Sequence, residues 1–279
     1  MIYMPHTYTN IAIDGGGASG YVYLGALAAI GDLKNVRRFM GISVGAILAV
    51  MLAMEYTIGD IMNITERTSL REHMVPSLKD LWNARKNGGL LGNDKLTLLV
   101  DAHIATALGS KNATFLDLYT KFSREVIIVA TNIRTHRPRY FCVQTDPHMP
   151  IRYAIAMSCA IPLIVQYRTY QGVEYYDGVF AQMGFLDYFD ERGISDVLGI
   201  TIVPGPMSSN HTGMMLVVHS LLLRAGRLRD PDARIISIDI PVDSPTIQGF
   251  RDPEKTHGIL YNKGYATALQ YLVKKRALR

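Results

Sequence analysis

The feature that most constrains this chain is 10-NIAIDGGGASGYVYLGAL-27, an apolar run of strand length interrupted by three consecutive glycines and resumed, after a fourth, with helical spacing. Such a stretch reads as a buried strand, a tight turn and a helix packed back on the sheet, with Val22, Leu24, Leu27, Ala28 and Ile30 on the inward side. The turn presents backbone amides at a helix N-terminus, a place that favours negative charge. Two chemistries use a turn of this kind. One holds the pyrophosphate of a dinucleotide, and the other holds the charge that develops during acyl transfer.

The next residues separate the two. Gly15, Gly17 and Gly20 satisfy G-x-G-x-x-G, but a dinucleotide site also needs an acid about 20 positions on, and 37-RRFMGISVGAIL-48 contains none. It holds Gly41-Ile42-Ser43-Val44-Gly45 instead, a G-x-S-x-G pentapeptide between a strand expected over 36–41 and a nearly all-apolar helix over 44–56. The motif calls for a sharp strand-to-helix turn that exposes a serine hydroxyl at the sheet edge, so Ser43 is the candidate nucleophile and Gly41 and Gly45 its small flanks. The amides of the glycine turn and of Val44 are then candidate oxyanion donors.

A serine needs a base. Asp177, in 175-YYDGV-179 and followed by Gly178, closes a hairpin expected across 165–178 with its turn at Gln171-Gly172, which presents a carboxyl at a strand end. Serine, aspartate and histidine also occur in the chain order of an α/β-hydrolase triad, with His257 the first histidine to test and His211 and His219 behind it. His103 falls on the apolar face of a helix within 89–109, N-capped by Asn93, and reads as a packed histidine.

Strand-like runs at 125–131, 139–143, 197–203 and 235–240 continue the alternation, which predicts a three-layer α/β/α fold on a mainly parallel sheet with a small antiparallel annex. The length, 279 residues, suits a single domain over 1–279, with its core over about 10–205 and C-terminal strand and helices over 206–279. The longest apolar run, 44–54, is too short for a bilayer, which needs roughly 20 residues. Two cysteines, an N-terminus without a secretory pattern and no zinc-ligand spacing point to a reducing, cytoplasmic setting without a metal. The charge of +5 is spread thinly except in 274-KKRALR-279, read as a solvated helix end or as a contact for an anionic lipid surface. No nucleic-acid-binding pattern is present.

Taken together, Asp14 to Gly20, Gly41 to Gly45 and Asp177 to Val179 resemble the three motifs of the patatin-like phospholipases: a D-G-G-G-x-x-G turn, a G-x-S-x-G elbow and a later D-G-[AG]. Segments 129-VATNIRTHRPRYF-141 and 154-AIAMSCAIPLIV-165 resemble that family's connecting text. The resemblance implies a Ser43–Asp177 dyad, an oxyanion hole from Gly15, Gly16, Gly17 and Val44, no cofactor, and a phospholipid, lysophospholipid or other acyl-ester substrate met peripherally at a membrane surface. It also marks two departures. Ser19 stands where the family commonly has Arg or Lys, and Val179 where it has Gly or Ala; a fold that has become a non-catalytic binder is the further alternative. The polar stretch 59–89, holding Trp82, reads as a cover over the site or as a packed helical insertion.

Overall fold

The computed structural model describes residues 8–67, 88–92, 94–204, 232–240 and 253–277. Asn93, Trp82, His211 and His219 lie outside the described residues, as does most of 59–89. The opening run forms β1 (Asn10–Ile13), a short 3-10 turn (Gly17–Gly20) and α1 (Tyr21–Ile30); the pattern repeats as β2 (Arg38–Ile42) and α2 (Val44–Ala53). After α3 (Ile58–Arg67) come β3 (Gly89–Leu91), α4 (Asp94–Leu108) and α5 (Phe115–Phe122), the last with a Thr114/Asp117 capping box. Then follow β4 (Glu125–Asn132), β5 (Pro138–Phe141), α6 (Ile151–Ser158), β6 (Leu163–Val165), β7 (Arg168–Tyr170) and β8 (Val173–Asp177). A short α7 (Asp187–Asp190), β9 (Val197–Pro204), β10 (Ile235–Ile240) and the long α8 (Pro253–Ala277) complete the described elements.

One sheet runs β10-β9-β1-β2-β4-β8-β7, with β5 also on β4, while β3 and β6 pair separately. Strands β10, β9, β1, β2 and β4 are mutually parallel; β5, β7 and β8 supply the antiparallel annex, joined through the expected hairpin, where Gln171 (φ 49°) and Gly172 (φ 73°) are both left-handed. The parallel strands are apolar on both sides because both faces are covered. Ile11, Ile13, Phe39, Val126, Ile128 and Ala130 meet the helices of one layer, and the alternating Ala12, Met40, Ile42, Ile127 and Val129 meet Phe185, Leu186, Tyr188 and Phe189 on the other.

Helices α1 and α8 cross unusually closely. A methyl group added to Gly25 would overlap the Tyr261 carbonyl, and one added to Gly264 would overlap the Val22 carbonyl, so glycine at both positions lets the two backbones touch. His103 on α4 meets Tyr56 edge-on, with ring centroids 5.5 Å apart and Nδ1 3.4 Å from the tyrosine hydroxyl, and burial pushes its pKa down. Among the described residues no helix is long and apolar enough to cross a membrane.

Candidate active site

Strand register brings the motifs together. Ile42 at the end of β2 pairs with Val129 of β4, and the next residue of β4, Ala130, pairs with Asp177 at the end of β8. Ser43 and Asp177 therefore leave the sheet at the same edge, two strand spacings apart, roughly 10 Å between backbones, with their side chains converging over β4.

The elbow explains its own glycines. Ser43 sits at φ 55°, ψ −124°, a conformation that L-residues avoid, and serves as the residue before α2. A side chain on Gly41 would run into the backbone of Gly45 and Ala46, and one on Gly45 into the carbonyls of Ile13 and Asp14. The helix can leave the strand this abruptly only because both residues lack Cβ. Ser158, fully buried at the end of α6, locks the turn: its hydroxyl accepts from the Ser43 N–H (2.9 Å) and donates to the Val129 carbonyl (2.6 Å). In the first turn of α2 the Ala46 N–H donates to the Ser43 carbonyl (2.9 Å), whereas the amides of Val44 and Gly45 have no acceptor among the described residues.

Asp177 is 1% exposed. Its N–H donates to the Ala160 carbonyl (3.0 Å), its carbonyl accepts from the Thr131 hydroxyl (2.8 Å), and its Oδ1 accepts from the Val179 N–H (3.0 Å). Oδ2 makes no hydrogen bond among the described residues. Burial pushes the carboxyl up to about 7, against smaller opposing effects of the Val179 N–H and the neighbouring Ser43 hydroxyl. That hydroxyl lies beside the carboxyl without completing a hydrogen bond to it. The buried Cys159 thiol is a neighbour of both groups: burial raises its pKa well above the ordinary value, the Asp177 charge adds to that, and the Ser43 hydroxyl opposes it.

The glycine turn borders the serine, since a methyl on Gly15 would lie 3.4 Å from Ser43 Cβ. Three buried groups hold it. Asp14 Oδ1 accepts from the Gly15 N–H (2.7 Å), Asp14 Oδ2 accepts from the Thr201 hydroxyl of β9, and the Tyr23 hydroxyl donates to the Gly15 carbonyl (2.7 Å). The Gly15 amide is thus already engaged, whereas those of Gly16, Gly17 and Val44 have no acceptor among the described residues. Val179 packs its side chain against Gly15, and Val44 packs against Gly20, which joins base loop, turn and elbow into one assembly. Gly178 fits under the Val129 carbonyl. Ser19 is buried, and its hydroxyl makes no hydrogen bond among the described residues.

His257 does not join the group. Its ring stacks on Tyr21 (centroids 3.6 Å, 13° between planes), its charge partner is Glu66, and burial lowers its pKa; it is absent from the groups that act on Asp177. No cluster of three or more metal-ligating side chains occurs among the described residues. The supports that sequence reasoning missed are Ser158, Tyr23 and the Asp14–Thr201 pair. Ser158 lies in 154-AIAMSCAIPLIV-165, the segment that resembles the family's connecting text, but neither that resemblance nor a lone hydroxyl in an apolar stretch assigned it a role.

A mainly parallel sheet flanked by helices, with a strained serine elbow, a buried aspartate and a glycine-rich turn at one edge, defines an α/β protein of the patatin-like fold class. Residues 11–190 match the family profile described as patatin-like phospholipase, and the chain belongs to that family. It is 31% identical over 196 residues to the uncharacterized protein R571 of Acanthamoeba polyphaga mimivirus, covering 69% of this chain and 64% of that one. It is 26% identical over 178 residues to the probable lipid hydrolase 463L of Invertebrate iridescent virus 6, covering 62% and 60%. The chain thus spans less than two thirds of these relatives. Among solved structures it resembles VipD from Legionella pneumophila (TM-score 0.63, 16% identity, 96% of this chain and 67% of that one). It also resembles a chain of the ExoU–SpcU complex from the type III secretion system of Pseudomonas aeruginosa (TM-score 0.51, 16% identity, 96% and 52%). At such identities the likeness is one of fold.

Proposed function

We propose that this chain is a lipid acyl hydrolase of the phospholipase A or lysophospholipase kind, working as one unit over residues 1–279 with a Ser43–Asp177 dyad and no cofactor. The observation that carries the reading is the Asp177 carboxyl: buried beside the Ser43 hydroxyl, raised to about 7, with Oδ2 free to take a proton. A general base works best with a pKa near the operating pH. Ser43 Oγ attacks the ester carbonyl as its proton passes to Asp177, and the carbonyl oxygen becomes an anion facing the amides of Gly16, Gly17 and Val44. Collapse breaks the ester C–O bond, and the leaving alkoxide takes the proton from Asp177, giving free alcohol or lysolipid and an acyl-serine. Water then attacks the acyl carbonyl, gives its proton to Asp177, and the returning Ser43 oxygen recovers it as the fatty acid departs. Gly15 contributes by holding the turn, its own amide being bound to Asp14.

The name lipid hydrolase borne by the iridescent-virus relative supports an acyl-ester substrate. We place the action peripherally at membranes, in a reducing cytoplasmic setting where Cys142 and Cys159 stay free thiols. The test is a lipid-class hydrolysis screen on wild type and Ser43→Ala together, with fluorophosphonate labelling of both. Release of fatty acid by the wild type alone supports the reading. A second reading, a non-catalytic lipid binder, is favoured by the buried Ser19 in the family's cation position. Absence of labelling at Ser43 in folded protein selects that reading over the first.

A further inference from the structure

A helix on the outside of an α/β fold has one partner and one wet face, so its apolar residues normally form a single stripe. Helix α8 has two. Leu260, Gly264, Ala268 and Leu272, four residues apart, are buried against the body of the protein, and Gly264 meets the α1 backbone. On the outside, Ile259 (57% exposed), Tyr265 (41%), Leu269 (41%) and Val273 (55%) fall within an arc of roughly 120° at 100° per residue. That second stripe runs from Ile259 to Val273 of the helix Pro253–Ala277 and faces outward. An extended exposed apolar strip of this kind marks a contact surface.

The charges beside the strip say what covers it. From Lys255 to Arg279 the sequence contains no aspartate or glutamate, while it carries Lys255, Lys263, Lys274, Lys275, Arg276 and Arg279. Lys263, Lys274 and Arg276 are exposed on or alongside the apolar arc. Lys275 is turned inward, donating to the Tyr271 hydroxyl (2.9 Å) and lying over the Tyr8 ring, so it serves to fasten the helix. Glu254 in the first turn is the one acid of α8, and beyond it the helix joins exposed Ile, Leu, Val and Tyr to cations alone, the composition of a helix lying in a lipid interface. A protein partner or a second copy of this helix would present no such uniform demand for negative charge; two copies would set cation against cation.

The N-terminal end of the helix lies near the glycine turn: His257, two residues before Ile259, stacks on Tyr21, which directly follows that turn. We infer that the outer face of α8 is a docking surface for anionic bilayers, with Ile259, Leu269 and Val273 entering the headgroup boundary and Lys263, Lys274 and Arg276 meeting acidic headgroups. This extends the proposed acyl-hydrolase reading to the place where the enzyme meets its substrate, and rests on that reading only for its purpose.

The test is flotation of the full chain with vesicles of phosphatidylcholine alone and of phosphatidylcholine with phosphatidylserine, beside hydrolysis of a soluble short-chain ester. Expected is binding to the anionic vesicles that weakens with salt and is much poorer on neutral ones. Lys274→Ala with Arg276→Ala should weaken it about 25-fold, taking about fivefold for each cation. Leu269→Glu with Val273→Glu should abolish it, and both double variants should cleave the soluble ester at the wild-type rate. Wild-type protein that stays with the aqueous fraction, or variants that float as wild type does, overturn the inference. So does a wild-type dimer in sedimentation velocity that Leu269→Glu with Val273→Glu converts to monomer, because the strip is then a contact between copies. Failure to cleave even the soluble ester counts against the hydrolase reading, while flotation still decides the surface.

Discussion

Replacing Asp177 by asparagine tests the electrostatics of the site through stability as well as rate. Burial raises this carboxyl from 3.8 to about 7, so the folded chain holds its proton more tightly than the unfolded chain does. The contribution to stability is then full below about pH 4 and is lost as pH climbs through 7. At 1.36 kcal/mol per pH unit the ionised carboxylate costs the fold about 4 kcal/mol in all, of which about 3 kcal/mol is lost between pH 5 and 9. The asparagine side chain is neutral throughout, and its oxygen can still accept from the Val179 N–H. Any fixed cost of burying its amide is the same at both pH values and cancels in the comparison. Thermal denaturation of the two proteins at pH 5 and pH 9 should therefore show the variant gaining roughly 5 °C on the wild type between them, from an unfolding entropy of about 2.1 cal/mol/K per residue. Ester hydrolysis by the wild type should rise tenfold per unit below pH 6 and level above about 8, and the variant should lose it. A melting difference that ignores pH, or an Asp177→Asn enzyme at full rate, would refute the argument that this buried group is the base.

Ser158→Ala removes the acceptor of the Ser43 N–H and the donor to the Val129 carbonyl; we expect a loss of about 1–3 kcal/mol in denaturant melts and a fall in kcat at nearly constant KM, because the elbow loses its anchor. Gly264→Ala should lower the melting temperature and Gly258→Ala should not, since a methyl at the first position meets the Val22 backbone and at the second meets nothing within 4 Å; the exposed helical site gains up to about 1 kcal/mol instead. His257→Ala should lose its stacking on Tyr21 yet keep hydrolysis of a soluble ester, and a variant as dead as Ser43→Ala would restore the triad reading.

Much of this was legible along the chain because the informative signals are local. The β1-turn-α1 and β2-elbow-α2 units each lie within about twenty residues and carry their glycines with them, and Gln171-Gly172 announces the hairpin by turn chemistry alone. Boundaries shifted where tertiary contacts decided them. The second strand, expected over 36–41, runs over Arg38–Ile42 because Arg37 and Arg38 both donate backward to the Thr9 carbonyl, and α2 stops at Ala53, where Glu55 turns left-handed (φ 67°). The bracing of the site was not legible. Ser158 reaches Ser43 across 115 positions and Thr201 reaches Asp14 across 187, and no periodicity in one sequence reports a hydrogen bond between such distant partners. Gly15 looked like one more oxyanion donor because its spacing is that of its neighbours; only its bond to the preceding carboxyl sets it apart.

The Asp14–Thr201 bond has a consequence for the birth of the protein. A chain synthesised only as far as Phe180 already includes Ser43 and Asp177 but lacks β9, whose Thr201 braces the glycine turn through Asp14. A partial chain of that length therefore holds the serine elbow and the buried aspartate beside a glycine turn that lacks one of its braces, and the turn is completed only when β9 slots in beside β1.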